Sequence, residues 1–426
     1  MRDRLHRALR SVYSLENILL VFVCMWTCGQ VAVAQSGRRE RHTVCFGKHI
    51  RHKAPANAVR IFLDKDGNYY PDIFIRDNEL RHNNSSLGEW YRNNTSAFNS
   101  LCTAYKVPVS TFEQQLAGLN DALAKQIAER INTGCHGFDI VDVSIHGFSK
   151  KAYGFRIVDR LATGDNRKLE QALQAGTKKK LFFVEIYWDS KFINMFSAAH
   201  KGKGYYIFKE GGIPNAMRVG LSLRKVVSAI RIPQLNIITH SLSTVACALL
   251  FNADSTDPVR QWETPTPKQL HTRLCMIAPA MGATVFSNYY SRDSTVSAPY
   301  KDNYEIAVVY NTNDVVLNKK LQVLWFRIMD IGAEAIAATT LGCNYKNDLA
   351  LLRQKVAPNE VKLFDLSYRN GRKQKCHYLN HCYIRNKACF ADVVDWLNRE
   401  KKRCPCGHLL ISHSVCVLSM FFLTRP

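Results

Sequence analysis

The fold is decided by residues 235–250, Leu-Asn-Ile-Ile-Thr-His-Ser-Leu-Ser-Thr followed by Val-Ala-Cys-Ala-Leu-Leu. The first five residues are mostly apolar and predict a short buried strand. The last six are small and apolar and predict a helix. Between them lies a tight turn that contains His240 and Ser241. A strand that breaks sharply into a helix with a serine at the corner has the layout of a nucleophile elbow.

The glycines of the usual G-x-S-x-G pattern are replaced here by Thr239 and Ser243. Both residues are small, as close packing of a helix on a strand requires, but each carries a Cβ that glycine lacks. A second interpretation is that Ser241 only caps the following helix, because serine is favoured at helix N-termini. Residues elsewhere in the chain favour the first interpretation.

Strands and helices alternate through the region around this stretch. Near-continuous apolar runs predict strands at 138–145, 181–187, 235–239, 274–278, 304–310 and 361–366, and helical periodicity predicts helices at 166–175, 215–230 and 390–397. Apolar strands separated by helices are typical of a parallel sheet that is covered on both faces. The sequence therefore predicts an α/β fold with a mostly parallel sheet.

Chemically useful residues follow the ends of four of these strands or segments. They are His146-Gly147-Phe148, Ser241, Asp314 and His381, in that order along the chain. In open α/β sheets, functional groups gather at the carboxyl ends of the strands. We therefore expect these residues to share one edge of the sheet.

With these residues in order, the chain resembles the α/β-hydrolase superfamily, whose catalytic residues occur in the order Ser, Asp, His. More narrowly, it resembles bacterial α/β hydrolases of the DUF900 type over about residues 137–398. The matching segments are Ser144-Ile145-His146-Gly147-Phe148, Trp188-Asp189-Ser190, Thr239-His240-Ser241-Leu242-Ser243, Asn311-Thr312-Asn313-Asp314 and His381-Cys382-Tyr383.

The resemblance implies a catalytic triad without a cofactor or metal. Ser241 would be the nucleophile, His381 the base that takes its proton, and Asp314 the carboxylate that holds the imidazole. The N–H groups of Leu242 and Phe148 would form the oxyanion hole, where loss of one donor typically lowers the rate about 10²–10³-fold.

Two of these assignments have competitors. Asp302 and Asp330 are alternatives to Asp314, which is preferred because it lies four residues after the strand end at Tyr310. His377 is an alternative to His381, because the two histidines are four residues apart in the same segment.

The N-terminus predicts a signal peptide at 1–34. Four arginines precede an apolar run from Ile18 to Trp26, and Ala32-Val33-Ala34 ends the segment. This order is typical of secretory signals, and the apolar run is short for a membrane-spanning helix. An uncleaved anchor is the alternative. Export predicts a secreted or periplasmic protein.

An N-terminal extension is predicted at 35–136, before the hydrolase domain at 137–400. Val59–Leu63 and Tyr69–Ile75 flank an Asp-Gly turn and predict a hairpin, which we favour over a calcium loop at Asp64 and Asp66 because later acidic ligands are missing. Residues 83–99 are polar and predict a loop, and apolar spacing predicts an amphipathic helix over 111–131. The basic, then apolar tail at 401–426 has no assigned role.

The amino-acid composition limits the classes of partner that the protein could bind. The net charge of +23 favours anionic surfaces, although the basic residues are spread along the chain. No basic module interleaved with aromatic residues is present, and export further argues against nucleic acid. Of the 14 cysteines, Cys24 and Cys28 lie in the signal, and the remaining twelve suffice for several disulfides.

We therefore expect a secreted serine hydrolase that cleaves ester or related acyl bonds of a small or lipid-like substrate through an acyl-serine. Segments 151–180 and 191–214 are candidate lids, the second being rich in Gly, Phe and Tyr. An acyltransferase with the same triad and an inactive binding protein with this fold are the alternatives.

Overall fold

A fully parallel sheet of seven strands lies at the centre of the protein. Its strands are β1 (Ala58–Leu63), β2 (Ile140–Ile145), β3 (Leu181–Trp188), β4 (Gln234–His240), β5 (His271–Ile277), β6 (Tyr304–Tyr310) and β9 (Val361–Asp365). Their order across the sheet is β1-β3-β2-β4-β5-β6-β9. A two-stranded ribbon, β7 (Gln322–Val323) and β8 (Phe326–Arg327), forms a separate antiparallel pair. The predicted α/β class with a parallel sheet is confirmed.

The computed structural model describes a little over two fifths of the chain. The described residues are 54–71, 86–147, 166–188, 212–232, 234–242, 271–280, 304–312, 314, 317, 322–323, 326–327, 341–343, 349, 361–367 and 387–399. The predicted signal peptide and the tail at 401–426 lie outside these residues. Within them, no helix is both long and apolar enough to cross a bilayer.

Six helices flank the sheet or precede it among the described residues. They are α1 (Leu87–Asn93), α2 (Thr95–Ala104), α3 (Phe112–Gly134), α4 (166–175), α5 (Ile213–Ser228) and α6 (Lys387–Asn398). Every residue of β2 and of β3 is buried, as expected for strands covered on both sides. The predicted helix over 111–131 is confirmed as α3.

The helices cover both faces of the sheet. Asp142 of β2 pairs with Phe183 of β3 and with Asn236 of β4, so these three side chains lie on the same face of the sheet. Phe182, the preceding residue of β3, lies on the opposite face. Asn236 donates to Leu397 O of α6, and Asn398 of α6 donates to Leu173 O of α4. Those two helices therefore cover the first face.

The second face is covered by α3 and α5. A Cβ on Gly134, the last residue of α3, would lie 2.7 Å from the Phe182 ring. Asn132 of α3 bridges to the end of α5, donating to Ala229 O and accepting from Arg231 N–H, each at 2.8 Å. The two helices thus form one layer.

The predicted N-terminal strand is not separate from the sheet. β1 pairs in parallel with β3 along its whole length and is the edge strand of the sheet. Its Arg60 forms an ion pair with Glu185 of β3 at 3.0 Å. The extension predicted at 35–136 therefore contributes a strand to the central layer, because its apolar residues complete the sheet edge.

The turn after β1 is held by one carboxylate. Asp64 is buried and accepts four hydrogen bonds, from Asp66 N–H, from the Asn68 N–H and side-chain amide, and from Leu87 N–H. With its oxygens engaged by N–H groups, Asp64 stabilises a turn and is not a calcium ligand. A single antiparallel bridge joins Leu63 to Tyr69. Residues 70–71 are not in a strand, and residues 72–75 of the predicted second strand lie beyond the described residues.

The prediction of a loop at 83–99 is wrong over its described part, which forms α1 and the first half of α2. Ser86 and Glu89 make a reciprocal capping box at the start of α1. Trp90, Tyr91 and Phe98 are buried in the core. Aromatic burial and a strong cap outweigh the low helix propensity of the asparagines and serines here.

The helix predicted at 166–175 is confirmed as α4, and it lies within the segment 151–180 that is a candidate lid. These residues form α4, whose Leu169 and Leu173 are buried. A Cβ on Gly176 would lie 2.4 Å from Val394 of α6, so the end of α4 is packed closely against that helix. Residues 148–165 and 189–211, which contain the rest of both predicted lids, are outside the described residues.

Four cysteines in the described part of the chain, Cys102, Cys135, Cys275 and Cys343, are buried and not disulfide-bonded. Burial raises the pKa of the Cys275 thiol, which lies in the middle of β5. These four thiols act as small apolar core residues.

Polar side chains lie buried between the sheet and α6. Gln234, Asn236 and Arg273 each donate to Leu397 O, at 2.9, 3.2 and 3.0 Å. Carbonyls in the last turn of a helix lack intrahelical partners, so these donors satisfy the end of α6. Asn236 also donates to Asp142 Oδ1 at 2.7 Å, while Asp142 Oδ2 has no partner among the described residues.

Asp142 makes the stability of the fold depend on pH. Burial raises the pKa of its carboxyl from about 3.8 to about 7, and the hydrogen bond from Asn236 only partly opposes this. Because the folded state binds the proton more tightly, stability is greatest at low pH within this window and falls as pH rises from about 4 to about 7. We expect Asp142→Asn to remove roughly 1 to 4 kcal/mol of this pH dependence.

Denaturant unfolding at pH 5 and pH 8 measures this effect. The Asp142→Asn protein should lose less stability between the two pH values than the wild type. The control is Glu129→Gln, which changes an exposed carboxylate of α3. This variant should lose as much stability between pH 5 and pH 8 as the wild type does. If the wild type and Asp142→Asn lost the same stability between the two pH values, Asp142 would not be a source of the pH dependence.

Candidate functional site

The strand order has a topological switch point at the carboxyl ends of β2 and β4. The chain leaves β2 toward β3 on one side, and it leaves β4 toward β5 on the other. Connections that diverge from two adjacent strands open a cleft at their carboxyl ends, which is where open α/β sheets bind ligands. His146 and Gly147 follow β2, and Ser241 follows β4. Both segments therefore meet at this switch point.

Ser241 has a backbone conformation that few residues adopt. It directly follows the last residue of β4 and has a φ of +61°. Its N–H donates to Ile277 O at 2.9 Å, and its carbonyl accepts from Ala280 N–H. A non-glycine residue at positive φ is uncommon, costs about 1–3 kcal/mol and is held in place by its surroundings.

Gly147 lies in direct contact with the Ser241 turn. A Cβ built on Gly147 would lie 2.2 Å from His240 O and 2.6 Å from Ser241 Cβ. Those distances are far shorter than a normal van der Waals contact, so only glycine fits at this position. The loop after β2 is thereby held against the turn after β4.

Asp314 lies past the carboxyl end of β6 and is completely buried. Its N–H donates to Asn311 O at 3.0 Å, and its Oδ1 accepts from Leu317 N–H at 3.2 Å. These bonds fold the backbone into a turn that holds the carboxylate at the edge of the sheet where Ser241 lies. Its competitors Asp302 and Asp330 are outside the described residues.

A chain of backbone hydrogen bonds connects the Ser241 turn with the Asp314 turn. Ser241 O accepts from Ala280 N–H, Gly342 N–H donates to Pro279 O, and Asn311 N–H donates to Gly342 O. The last link is the bond from Asp314 N–H to Asn311 O. Sequence analysis missed Ala280 and Gly342, and the only local signal was Pro279 at the end of β5.

His146 has both ring nitrogens engaged. Nδ1 lies 2.8 Å from Gly147 O and donates to it, and Nε2 accepts from Trp188 N–H at 3.1 Å. One nitrogen must carry the proton and the other must not, so the imidazole is neutral. Burial of the ring lowers the pKa of His146. This histidine is therefore held as a neutral donor and has no nitrogen left to act as a general base.

Of the predicted site residues, the structure describes Ser241, Leu242 and Asp314. Leu242 is buried and follows the serine directly. Phe148, His381 and His377 lie outside the described residues, as does the helix predicted after Leu242. Within the described part of the chain, no group of His, Cys, Asp and Glu side chains could hold a metal ion.

Comparison with protein-family models, with curated proteins and with solved structures gives no significant match for this chain.

Because Gly147 contacts the Ser241 turn, any side chain at position 147 should lower the stability of the protein. We expect Gly147→Ala to lower the free energy of unfolding by about 1–3 kcal/mol, because the new Cβ must push the Ser241 turn away. Urea denaturation measures the change. Gly88→Ala is the control, because a Cβ at Gly88 in α1 would meet nothing closer than 3.4 Å. A Gly147→Ala protein as stable as the control variant would refute the tight contact.

Proposed function

We propose that the protein is an exported serine hydrolase of the α/β-hydrolase type, which cleaves ester or related acyl bonds through an acyl-serine intermediate. The observation that carries the proposal is the backbone of Ser241, with a φ of +61° directly after β4 and at the switch point of the strand order. A strained strand-to-helix turn that carries a serine is the nucleophile elbow of these enzymes.

The same observation argues against Ser241 as an ordinary helix cap. The two side-chain caps described here, Ser86 and Thr111, have φ values of −60° and −62° with extended ψ. This is the usual backbone of an N-cap residue. Ser241 departs from both by more than 120° in φ. A capping role would not require the strain at this position, whereas presentation of a nucleophile would.

In the proposed mechanism, Ser241 Oγ attacks the acyl carbonyl carbon while His381 accepts its proton. Asp314 holds the other imidazole N–H and stabilises the cation that forms. The N–H groups of Leu242 and Phe148 stabilise the oxyanion, and His381 returns the proton to the leaving group. Water then attacks the acyl-serine by the same route in reverse. No cofactor takes part.

Two further observations support the Ser-Asp part of this triad. Asp314 is completely buried at the edge of the sheet where Ser241 lies. The backbone hydrogen bonds through Pro279, Ala280 and Gly342 fix the two turns relative to each other. Preorganised groups of this kind are what acyl transfer requires. Export, an anionic surface as partner and the DUF900-type resemblance rest on the sequence.

A fluorophosphonate probe tests the proposal directly. The folded wild-type protein should be labelled on Ser241, as peptide mass spectrometry would show, and Ser241→Ala should abolish labelling. Absence of labelling in folded wild-type protein would disprove the enzyme assignment. The matched pair His381→Ala and His377→Ala identifies the base, and only the first should abolish labelling. The reverse result would assign the base to His377.

Substitution of Asp314 should cause a large and specific loss of catalytic rate. We expect Asp314→Asn to lower kcat for a p-nitrophenyl ester by roughly 10⁴-fold, because the amide holds the imidazole in the wrong tautomer. The matched control is Asp365→Asn at the end of the neighbouring β9, where Oδ1 accepts from Ser367 N–H at 2.8 Å. That variant should stay within about tenfold of the wild type. Equal losses in the two variants would remove Asp314 from the triad.

A further inference from the structure

A buried polar cluster lies between α4 and the two strands β1 and β3 at the edge of the sheet. Glu185 of β3 accepts from Arg60 of β1 at 3.0 and 3.4 Å, so the two form an ion pair. The Tyr187 hydroxyl donates to the same carboxylate, and Asn166 of α4 donates to the Tyr187 oxygen at 3.2 Å. Glu185, Tyr187 and Asn166 are all buried. The first residue of α4 is therefore bound to the sheet through this cluster.

Glu170, one turn further along α4, brings a second carboxyl group to the cluster. Its side chain hydrogen-bonds to that of Glu185, while its Oε1 has no partner within the described part of the chain. An ionised carboxylate can only accept hydrogen bonds, so two carboxyl groups bond to each other only while one of them carries a proton. Because Arg60 is paired with Glu185, the proton belongs to Glu170.

The charges that act on Glu170 come from three strands. Burial is the largest cause that raises its pKa, from 4.5 to about 8, and the carboxylate of Glu185 is the second. The guanidinium of Arg60 opposes these effects, and Asp142 of β2 adds to them. One guanidinium balances one carboxylate, and an uncompensated buried charge is costly. The layer under α4 is therefore neutral only while Glu170 and Asp142 are both protonated.

The neighbouring helix α6 meets α4 without a charged side chain in their described contacts. Val394 lies against the end of α4, and the Asn398 amide donates to Leu173 O at 3.0 Å. Asp392 and Asp395 of α6 line a groove beside β9 instead. Because α4 is short, its helical form depends on contacts with the rest of the fold. Its docking is therefore sensitive to any charge that develops beneath it.

We propose that α4 is a pH-sensitive element of the fold, which is docked on the sheet while Glu170 and Glu185 share a proton and is released when that proton is lost. Docked Glu170 binds its proton more tightly than exposed Glu170, so docking is strongest at low pH and weakens as pH rises from about 4.5 to about 8. Release removes the Asn166 bond from Tyr187, whose ring centroid lies 6.1 Å from that of His146 in the loop after β2. This inference does not depend on the proposed hydrolase activity.

Amide hydrogen exchange at pH 6 and pH 8.5 tests the proposal, with protection factors that correct for the effect of pH on the intrinsic exchange rate. In the wild type, we expect the protection factor over 166–176 to fall at least about tenfold between the two pH values, because one pKa unit is a factor of ten in an equilibrium constant. Glu170→Gln keeps a neutral side chain that can donate to Glu185, so its fall should be at least about fivefold smaller. Unchanged protection in the wild type, or an equal fall in Glu170→Gln, would overturn the proposal.

Two controls separate release of α4 from other effects of pH. Glu129→Gln removes an exposed carboxylate of α3 and should show the same fall over 166–176 as the wild type. The amides of α3 report on wider unfolding, and at pH 8.5 they should exchange at least about tenfold more slowly than those of α4 after correction. If both helices exchanged at the same corrected rate, the fold would be opening as a whole, and release of α4 would be refuted.

A second variant applies if Glu170→Gln does not fold, as judged by circular dichroism. In Glu185→Gln, ionised Glu170 can pair with Arg60, so the fall in protection over 166–176 should again be at least about fivefold smaller than in the wild type. A fall as large as that of the wild type would overturn the proposal. The exchange measurement uses no substrate, so its result is separate from the outcome of probe labelling at Ser241.

Discussion

The contact between Gly147 and the turn at Ser241 is the constraint on which the functional end of the sheet depends. A serine at positive φ is strained, and it keeps that conformation only because neighbouring groups hold it. Here the neighbours are the Gly147 backbone on one side and the hydrogen bonds to Ile277 and Ala280 on the other. Together they join the ends of β2, β4 and β5 into one unit.

The two faces of the sheet are stabilised differently. The face under α3 and α5 is apolar, with Phe182 packed against the end of α3. The face under α4 and α6 carries buried polar and charged residues, among them Asp142, Asn236 and Arg273. Buried polar groups are costly unless they are hydrogen-bonded. Gln234, Asn236 and Arg273 meet this condition by donating to Leu397 O, and these bonds tie the end of α6 to the centre of the sheet.

The local sequence pattern was sufficient to locate those strands and helices along which burial is uniform. Three elements have bounds close to the predicted ones: the strands at 304–310 and 361–365 and the long helix at 112–134. The sequence marks the strands by continuous apolar runs and the helix by the helical spacing of its apolar residues. The pattern failed at 87–99, where asparagine and serine obscure helices that buried aromatic residues stabilise. The pattern located β1 but not its partner, because the strand that pairs with it is more than 100 residues away.

By itself, the sequence determined the α/β class, the positions of most strands, and which serine and aspartate follow strand ends. Each of these depends on residues within a few positions of one another. Only the tertiary structure decided that Gly147 contacts Ser241, that Ala280 and Gly342 connect Ser241 to Asp314, and that His146 is a neutral donor fixed by Trp188. Those relations join residues far apart in the chain, and the order of parallel strands brings them together at one edge of the sheet.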